Sequence, residues 1–334
     1  MTGAPPDGDE NGTLAQLKGG WRVQLVGLVI SVISIAAVVW WASRQQAPEL
    51  PSTAAGLSAL AAGVVVYLLI TLVRGERWWW LLHHSGAAPS RSDAYGLTAV
   101  SYMGNNVLPA RGGDVMGVYL MAPRAQTGMR NVIGTLVAAR VLDAAAVGLL
   151  LMLSLALLGA STPGGGRLVF AGALILLGCT AVLAGYLLRN HPPVRRLIEF
   201  IAPMTRATRD LRGRHGVAMV GITVGIWLME SGVYAAVASA AGVEISALEV
   251  VYVTALTNVF VAIPSGPGYV GTFDAAVLFA VKAVGASGSE AVSFLIMLRF
   301  VLFVPVTVAG LALLLLRYGG WIRAGRPQLE ARRA

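Results

Sequence analysis

Charge is what this sequence lacks. Only 12% of its 334 residues are Asp, Glu, Lys or Arg, against about 25% in an ordinary soluble chain. Lysine is nearly absent, with Lys18 and Lys282 the only two, so the formal net charge of +9 is carried by arginine. Cysteine occurs once, as Cys179 inside an apolar run. That excludes an intrachain disulfide, and a lone thiol is no zinc site; its reading is a packed core residue. The sequence has no Ser-His-Asp set, no P-loop and no dinucleotide fingerprint with its strand. His83 and His84 are adjacent but lack a second cluster at ligand spacing, so no metal is expected. Neither an enzyme nor a cofactor is expected on these grounds.

What is present is apolar. Hydrophobic residues make up 56% of the chain and mean hydropathy is +0.72, which marks an integral membrane protein. The pI near 10.2 does not indicate nucleic acid, because the basic residues fall between apolar runs, where they orient a protein against anionic lipid. Residues 1–20 are polar, rich in Gly and Pro, and expected to be a disordered cytoplasmic segment. The run after them is too long for a signal peptide. The membrane domain is expected over 21–318, succeeded by a basic cytoplasmic tail, 319–334.

A spanning helix needs about 20 mainly apolar residues. Six runs qualify: 22–42, 53–73, 131–158, 168–188, 216–241 and 290–316. Arginines cluster in the 74–93 loop (Arg74, Arg77, Arg91), before the third run (Arg124, Arg130), in 189–215 and in the tail, whereas 43–52, 159–167 and 242–248 are poor in them. The positive-inside rule then puts both termini in the cytoplasm of a multi-pass protein of the cytoplasmic membrane. Tryptophans, including the run Trp78, Trp79 and Trp80, fall at span ends as interfacial anchors, and only Trp227 is mid-span.

Two apolar regions, 94–126 and 247–286, are interrupted. The first contains "NNVLPARGGD". Residues 94–108 give a helix about 22 Å long, short of a core of about 30 Å. Pro109 stops it, Gly112 and Gly113 permit a turn, and Asp114 can cap the next segment. The second contains "TNVFVAIPSGPGYVGTFD", where Pro264 and Pro267 break the helix, Gly266, Gly268 and Gly271 turn it, and Thr272 can cap the helix after the turn. Asn106 matches Asn258, and after each unit comes a long span with one arginine, Arg140 or Arg299. Three full spans lie between the units, and an odd number inverts the second. The expected fold is an all-α membrane protein with six full transmembrane helices and two re-entrant helical hairpins in an inverted repeat.

These paired motifs, "NNVLPARGGD" with "AARVLD" and "AIPSGPGYVGTFD" with "LRF", resemble the flippase-like domain family. That family is the transmembrane region of lysylphosphatidylglycerol synthases, also described as an uncharacterised membrane protein family. The resemblance runs from about residue 20 to 318. It implies lipid translocation, in which a polar headgroup crosses the bilayer while its tails stay in it. In full-length synthases a soluble aminoacyl-transfer domain comes after this region. With Ala334 as the last residue, a stand-alone member is expected, and the resemblance does not support lysyl transfer. Stand-alone relatives are associated with varied envelope lipids, including glycolipids and polyprenyl-linked sugars.

An arginine within a span costs several kcal/mol unless paired or facing water, and its planar fork suits phosphate. Arg140, Arg299 and, in the turn, Arg111 are therefore candidates to hold a lipid phosphate at successive depths. The structural alternatives are an i, i+3 pair of Arg140 with Asp143, and a pair of Arg299 with Asp274 or Glu230. Asp114, Glu230 and Asp274 are candidates for a coupling proton; capping and ion pairing are their alternatives. Asn105, Asn106 and Asn258 either contact a headgroup or satisfy freed backbone groups. Three functions fit these residues: translocation of a polar or phosphate-bearing envelope lipid, secondary transport of a small anion, or a non-transporting subunit beside an envelope-lipid biosynthetic enzyme. Membrane lipids are the expected partners, and nucleic acid is not.

Overall fold

The computed structural model describes residues 50–108, 111–159, 214–261 and 267–319, together with Trp40 and Ser43. Among the described residues the chain is helical, without strands. Helix α1 runs Ala54–His84, α2 Arg91–Val107, α3 Gly112–Arg124, α4 Met129–Gly159, α5 Arg214–Ala241, α6 Ala247–Val261, α7 Thr272–Ala283 and α8 Gly288–Leu313. A 3-10 turn, Pro267–Tyr269, precedes α7, and α8 ends in a π-helical turn, Leu314–Tyr318.

Four helices are long and apolar enough to cross a membrane: α1, α4, α5 and α8 with its π turn. They match four of the six expected spans. Of the other two, 22–42 lies outside the described residues except for Trp40 and 168–188 lies wholly outside them, as do Cys179, the 189–213 arginines and the two termini.

The first correction concerns α1. Its expected end at residue 73 is wrong, and the 74–93 loop does not exist as such. Thr53 starts the helix by accepting from the Gly56 N–H at 3.1 Å, and only Gly86, at φ 82°, stops it. Thirty-one residues make a rod of about 46 Å. Arg74, Arg77 and the three tryptophans are therefore helical. Trp78 is buried and donates to Thr135 at 3.2 Å, while Trp79 and Trp80 stack on His83 and His84 one turn on. The two arginines broke the hydropathy run but not the helix, because each meets a carboxylate inside the bundle.

The interrupted regions form helix–turn–helix hairpins, α2–α3 and α6–α7. Ser90 caps α2 by accepting from the Asp93 N–H at 3.0 Å. Leu108 leaves the helix in an extended conformation, ψ 144°, as a residue before proline does. Pro109, Pro264 and Gly266 lie outside the described residues. In the first turn the left-handed residue is Arg111, φ 56°, and in the second Gly268 and Tyr269 take φ 61° and 54°.

Gly112 and Gly113 do not make the first turn; they are the first two residues of α3. Their place reflects packing. A Cβ on Gly113 would fall on the Ser101 carbonyl oxygen and the Asn105 nitrogen, and one on Gly104 would lie 2.5 Å from the Gly113 Cα. Gly117 faces Ser101 in the same way. This is the small-residue contact by which membrane helices approach closely. Gly113→Ala is expected to lose about 1–3 kcal/mol by overpacking, read as earlier thermal unfolding in detergent. Gly221→Ala, with nothing within 4 Å of its Cβ, is the control that leaves unfolding unchanged.

Helices α1 and α5 pack antiparallel. Gly56 lies by Ala240, Arg77 donates to Thr223 at 3.0 Å, and the His84 and His215 rings are 5.0 Å apart. The α2–α3 hairpin leaves from the His84 end of this pair and the α6–α7 hairpin from the Ala241 end, so the two approach from opposite ends. Helix α8 lies antiparallel to α2, with Gly310 against the Ala99 backbone and Arg317 reaching Asp93 at 3.0 Å. The hairpin tips meet: a Cβ on Gly268 would be 3.2 Å from the Asn106 carbonyl oxygen.

Candidate functional site

Where the tips meet, the helices enclose a cavity of about 490 Å³, within the range of small-molecule sites, about 300–1,000 Å³. Tyr67 and Arg74 reach it from α1, Tyr102, Asn105 and Asn106 from α2, and Arg111 from the first turn. Arg140, Asp143 and Val147 form the α4 wall; their spacing places them on one helix face. Trp227 and Glu230 come from α5, Asn258 from the end of α6, Tyr269 from the second turn, and Phe273 and Phe303 from α7 and α8.

Four ion pairs stand around this space. Glu230 and Arg74, both under one-tenth exposed, are joined directly. Arg74 also has the Tyr102 and Trp227 rings at 5.2 and 5.5 Å. Arg77 grips Asp143 with two bonds, 2.7 and 3.0 Å, and Trp227 Nε1 donates to the same carboxylate at 3.2 Å. Arg140 donates to both oxygens of Asp114 at 3.1 and 3.2 Å. Arg299 is held by Asp274 and donates to the Gly268 carbonyl at 3.3 Å.

Several expected pairings change. Arg140 pairs chiefly with Asp114, and Asp143 is a 3.9 Å neighbour because Arg77 already holds it. Arg299 takes Asp274, one of its two expected partners, while the other, Glu230, pairs with Arg74. Asp114 does not cap α3: it is the third helical residue, and Arg111 occupies the cap position without a side-chain bond. It binds Asn105 twice, accepting from Nδ2 at 2.9 Å while its own N–H donates to Oδ1 at 3.1 Å. Thr272 likewise comes after the cap residue, Gly271, whose N–H donates to Asp274 at 2.8 Å.

The asparagines divide. Asn105 braces Asp114. Asn106 donates to Thr307 Oγ1 at 2.9 Å and so ties the first tip to α8. Asn258 donates to the Thr254 carbonyl at 2.9 Å and, at 3.5 Å, to Glu230. Of the three candidate phosphate-binding arginines, Arg111 and Arg140 line the cavity. Arg299 sits behind it, with the Phe273 and Phe303 rings at 5.3 and 5.0 Å.

Arg111 is the distinctive cation. Among the described residues no carboxylate lies opposite it; its guanidinium stands over the Tyr269 ring at 5.7 Å. The four acids are each matched to another arginine, so the described residues of the site carry one more positive charge than negative. Sequence reading missed Arg74 and Arg77, which it placed in a loop, and the tyrosines Tyr67, Tyr102 and Tyr269. The signal was there: between Val73 and Ser85 only Gly75 weakens a helix, and Arg74, Arg77 and Leu81 keep helical spacing. No group of three metal-ligating side chains occurs among the described residues.

The model of a family described as the lysylphosphatidylglycerol synthase TM region matches residues 24–310. No curated protein and no solved structure matches the chain.

Proposed function

The chain belongs to the lysylphosphatidylglycerol synthase TM region family, and from that premise we propose that it is a flippase-like protein translocating a phosphate-bearing envelope lipid, without catalysis of its own. The observation that carries this reading is the excess cation, Arg111, at the meeting point of two broken helices, in a cavity walled by Arg74 and Arg140. Membrane chains tolerate non-helical backbone where it lines a polar cavity, and an anion entering this one balances the charge left by Arg111. A phosphate is the anion that arginine forks match.

The two halves support an inverted-repeat reading. Asp114 and Asp274 each stand third in the second short helix of a hairpin and bind an arginine on the next long helix, Arg140 or Arg299. Asn106 and Asn258 lie in the last turn of the first short helices. Such halves rocking about a central site give alternating access. Arg111 and Arg140 would receive the phosphate, Arg299 would hold the second turn in place, and Asp114, at Arg140, is the acid the anion displaces.

The test is reconstitution into liposomes with fluorescent phosphatidylglycerol and a membrane-impermeant quencher. Wild-type protein is expected to expose inner-leaflet lipid well above protein-free vesicles. Arg111→Ala is expected to slow this by about tenfold or more with thermal unfolding unchanged. Wild-type rates equal to those of empty liposomes would sink the proposal.

A further inference from the structure

We infer that this cavity selects an anionic phosphate headgroup bearing an uncharged, hydroxyl-rich substituent, and rejects an aminoacylated, cationic one. The inference rests on the cavity being the headgroup site proposed above.

The first argument is what the cavity cannot offer. An ammonium group taken out of water needs a carboxylate. Asp143 and Glu230 are the acids that line the space. Both are already bound to buried arginines, Arg77 and Arg74. Asp114 beside them is held by Arg140 and Asn105. A lysyl headgroup would therefore enter a site with no carboxylate to spare among the described residues, facing Arg74, Arg111 and Arg140. Its phosphate would be attracted, but its two ammonium groups would be repelled at low dielectric.

The second argument is what the cavity leaves open. Tyr67, Tyr102 and Tyr269 line it, and among the described residues none of their hydroxyls has a hydrogen-bond partner in the protein. Tyr67 is only 6% exposed. These hydroxyls line the cavity without a protein partner, so a headgroup that enters can take their hydrogen bonds in place of water. Asn106 spends its amide nitrogen on Thr307, which leaves its carbonyl oxygen as an acceptor. Hydroxyls that donate or accept, an amide acceptor and aromatic faces form a neutral set that matches glycerol or a sugar. The arginines supply the complementary site for phosphate. The same chemistry is found on a lipid such as phosphatidylglycerol and on a soluble molecule such as glycerol 3-phosphate.

The experiment is equilibrium binding to purified full-length protein in detergent, read by ligand-dependent thermal stabilisation. The probes are phosphatidylglycerol, lysyl-phosphatidylglycerol, phosphatidate and glycerol 3-phosphate. Phosphatidylglycerol is expected to bind about tenfold or more tightly than its lysyl ester. Tyr67→Phe and Tyr102→Phe are each expected to weaken phosphatidylglycerol by about 3- to 10-fold and to leave phosphatidate unchanged, since phosphatidate has no headgroup hydroxyls beyond its phosphate. Glycerol 3-phosphate competing at the same concentration as the lipid marks a soluble source for the same headgroup chemistry; competition by the lipid alone marks the membrane source. Equal or tighter binding of the lysyl ester overturns the inference, as does a Phe variant that weakens both lipids alike or neither. Selective binding of phosphatidylglycerol without movement in liposomes overturns the transport proposal and leaves this inference standing. Transport that prefers the lysyl ester does the reverse.

Discussion

Glu230→Ala is expected to cost about 3–5 kcal/mol, the penalty for leaving a buried charge without its partner. Domains hold only about 5–15 kcal/mol in total, so the variant should give little monodisperse protein in detergent and unfold early on heating. The reason is Arg74. It is 7% exposed, its Nε has no acceptor, and apart from Glu230 its cation contacts among the described residues are the faces of Tyr102 and Trp227. Those rings help a cation but do not replace a carboxylate. Arg74→Met with Glu230→Leu is expected to recover most of the loss, because removing both charges removes the need for the pair. If Glu230→Ala unfolds at the wild-type temperature, the pair does not stabilise the bundle and Arg74 must reach water instead.

The hairpins were legible in the sequence because their signals are local. Proline and glycine runs interrupt apolar segments too short to span, and the second region resembles the first in sequence with Asn258 in the place of Asn106. What was not legible is long-range. Arg77 pairs with Asp143 across 66 residues and Arg74 with Glu230 across 156, and no local pattern reports that. Judged alone, each arginine looked like a loop charge that ends a span. Judged with its partner, it is the reason α1 can run on at full length. The glycines failed in a similar way. Gly112 and Gly113 suit a turn, and the sequence could not tell a turn from a close helix crossing, because both need a missing Cβ. The acids Asp114 and Asp274 were both found; Asp274 holds Arg299 as one of its expected pairings, whereas Asp114 holds Arg140 in place of capping α3.

The sharpest functional division lies between those two arginines, which the proposed inverted repeat would make equivalent and the cavity does not. Arg140 is one-third exposed toward the cavity, 33% by its side chain. Arg140→Ala is expected to slow lipid movement by about two orders of magnitude, the scale of losing a desolvated charge contact, while thermal unfolding falls little, since Asp114 keeps its two bonds with Asn105. Arg140→Lys keeps the charge but loses the fork, and an intermediate rate is expected. Arg299 behaves as a structural group. It fixes Asp274 and the Gly268 carbonyl between two phenylalanines. Arg299→Ala is therefore expected to lower the unfolding temperature first and to lose transport only in proportion to folded protein. Rates normalised to folded protein separate the two. A folded Arg140→Ala that moves lipid at the wild-type rate removes the phosphate contact from the mechanism. A fully stable Arg299→Ala that moves none would mean that the phosphate passes behind Phe273 and Phe303 to a second arginine, and that Arg140 and Arg299 make two successive binding sites in place of one site and one brace.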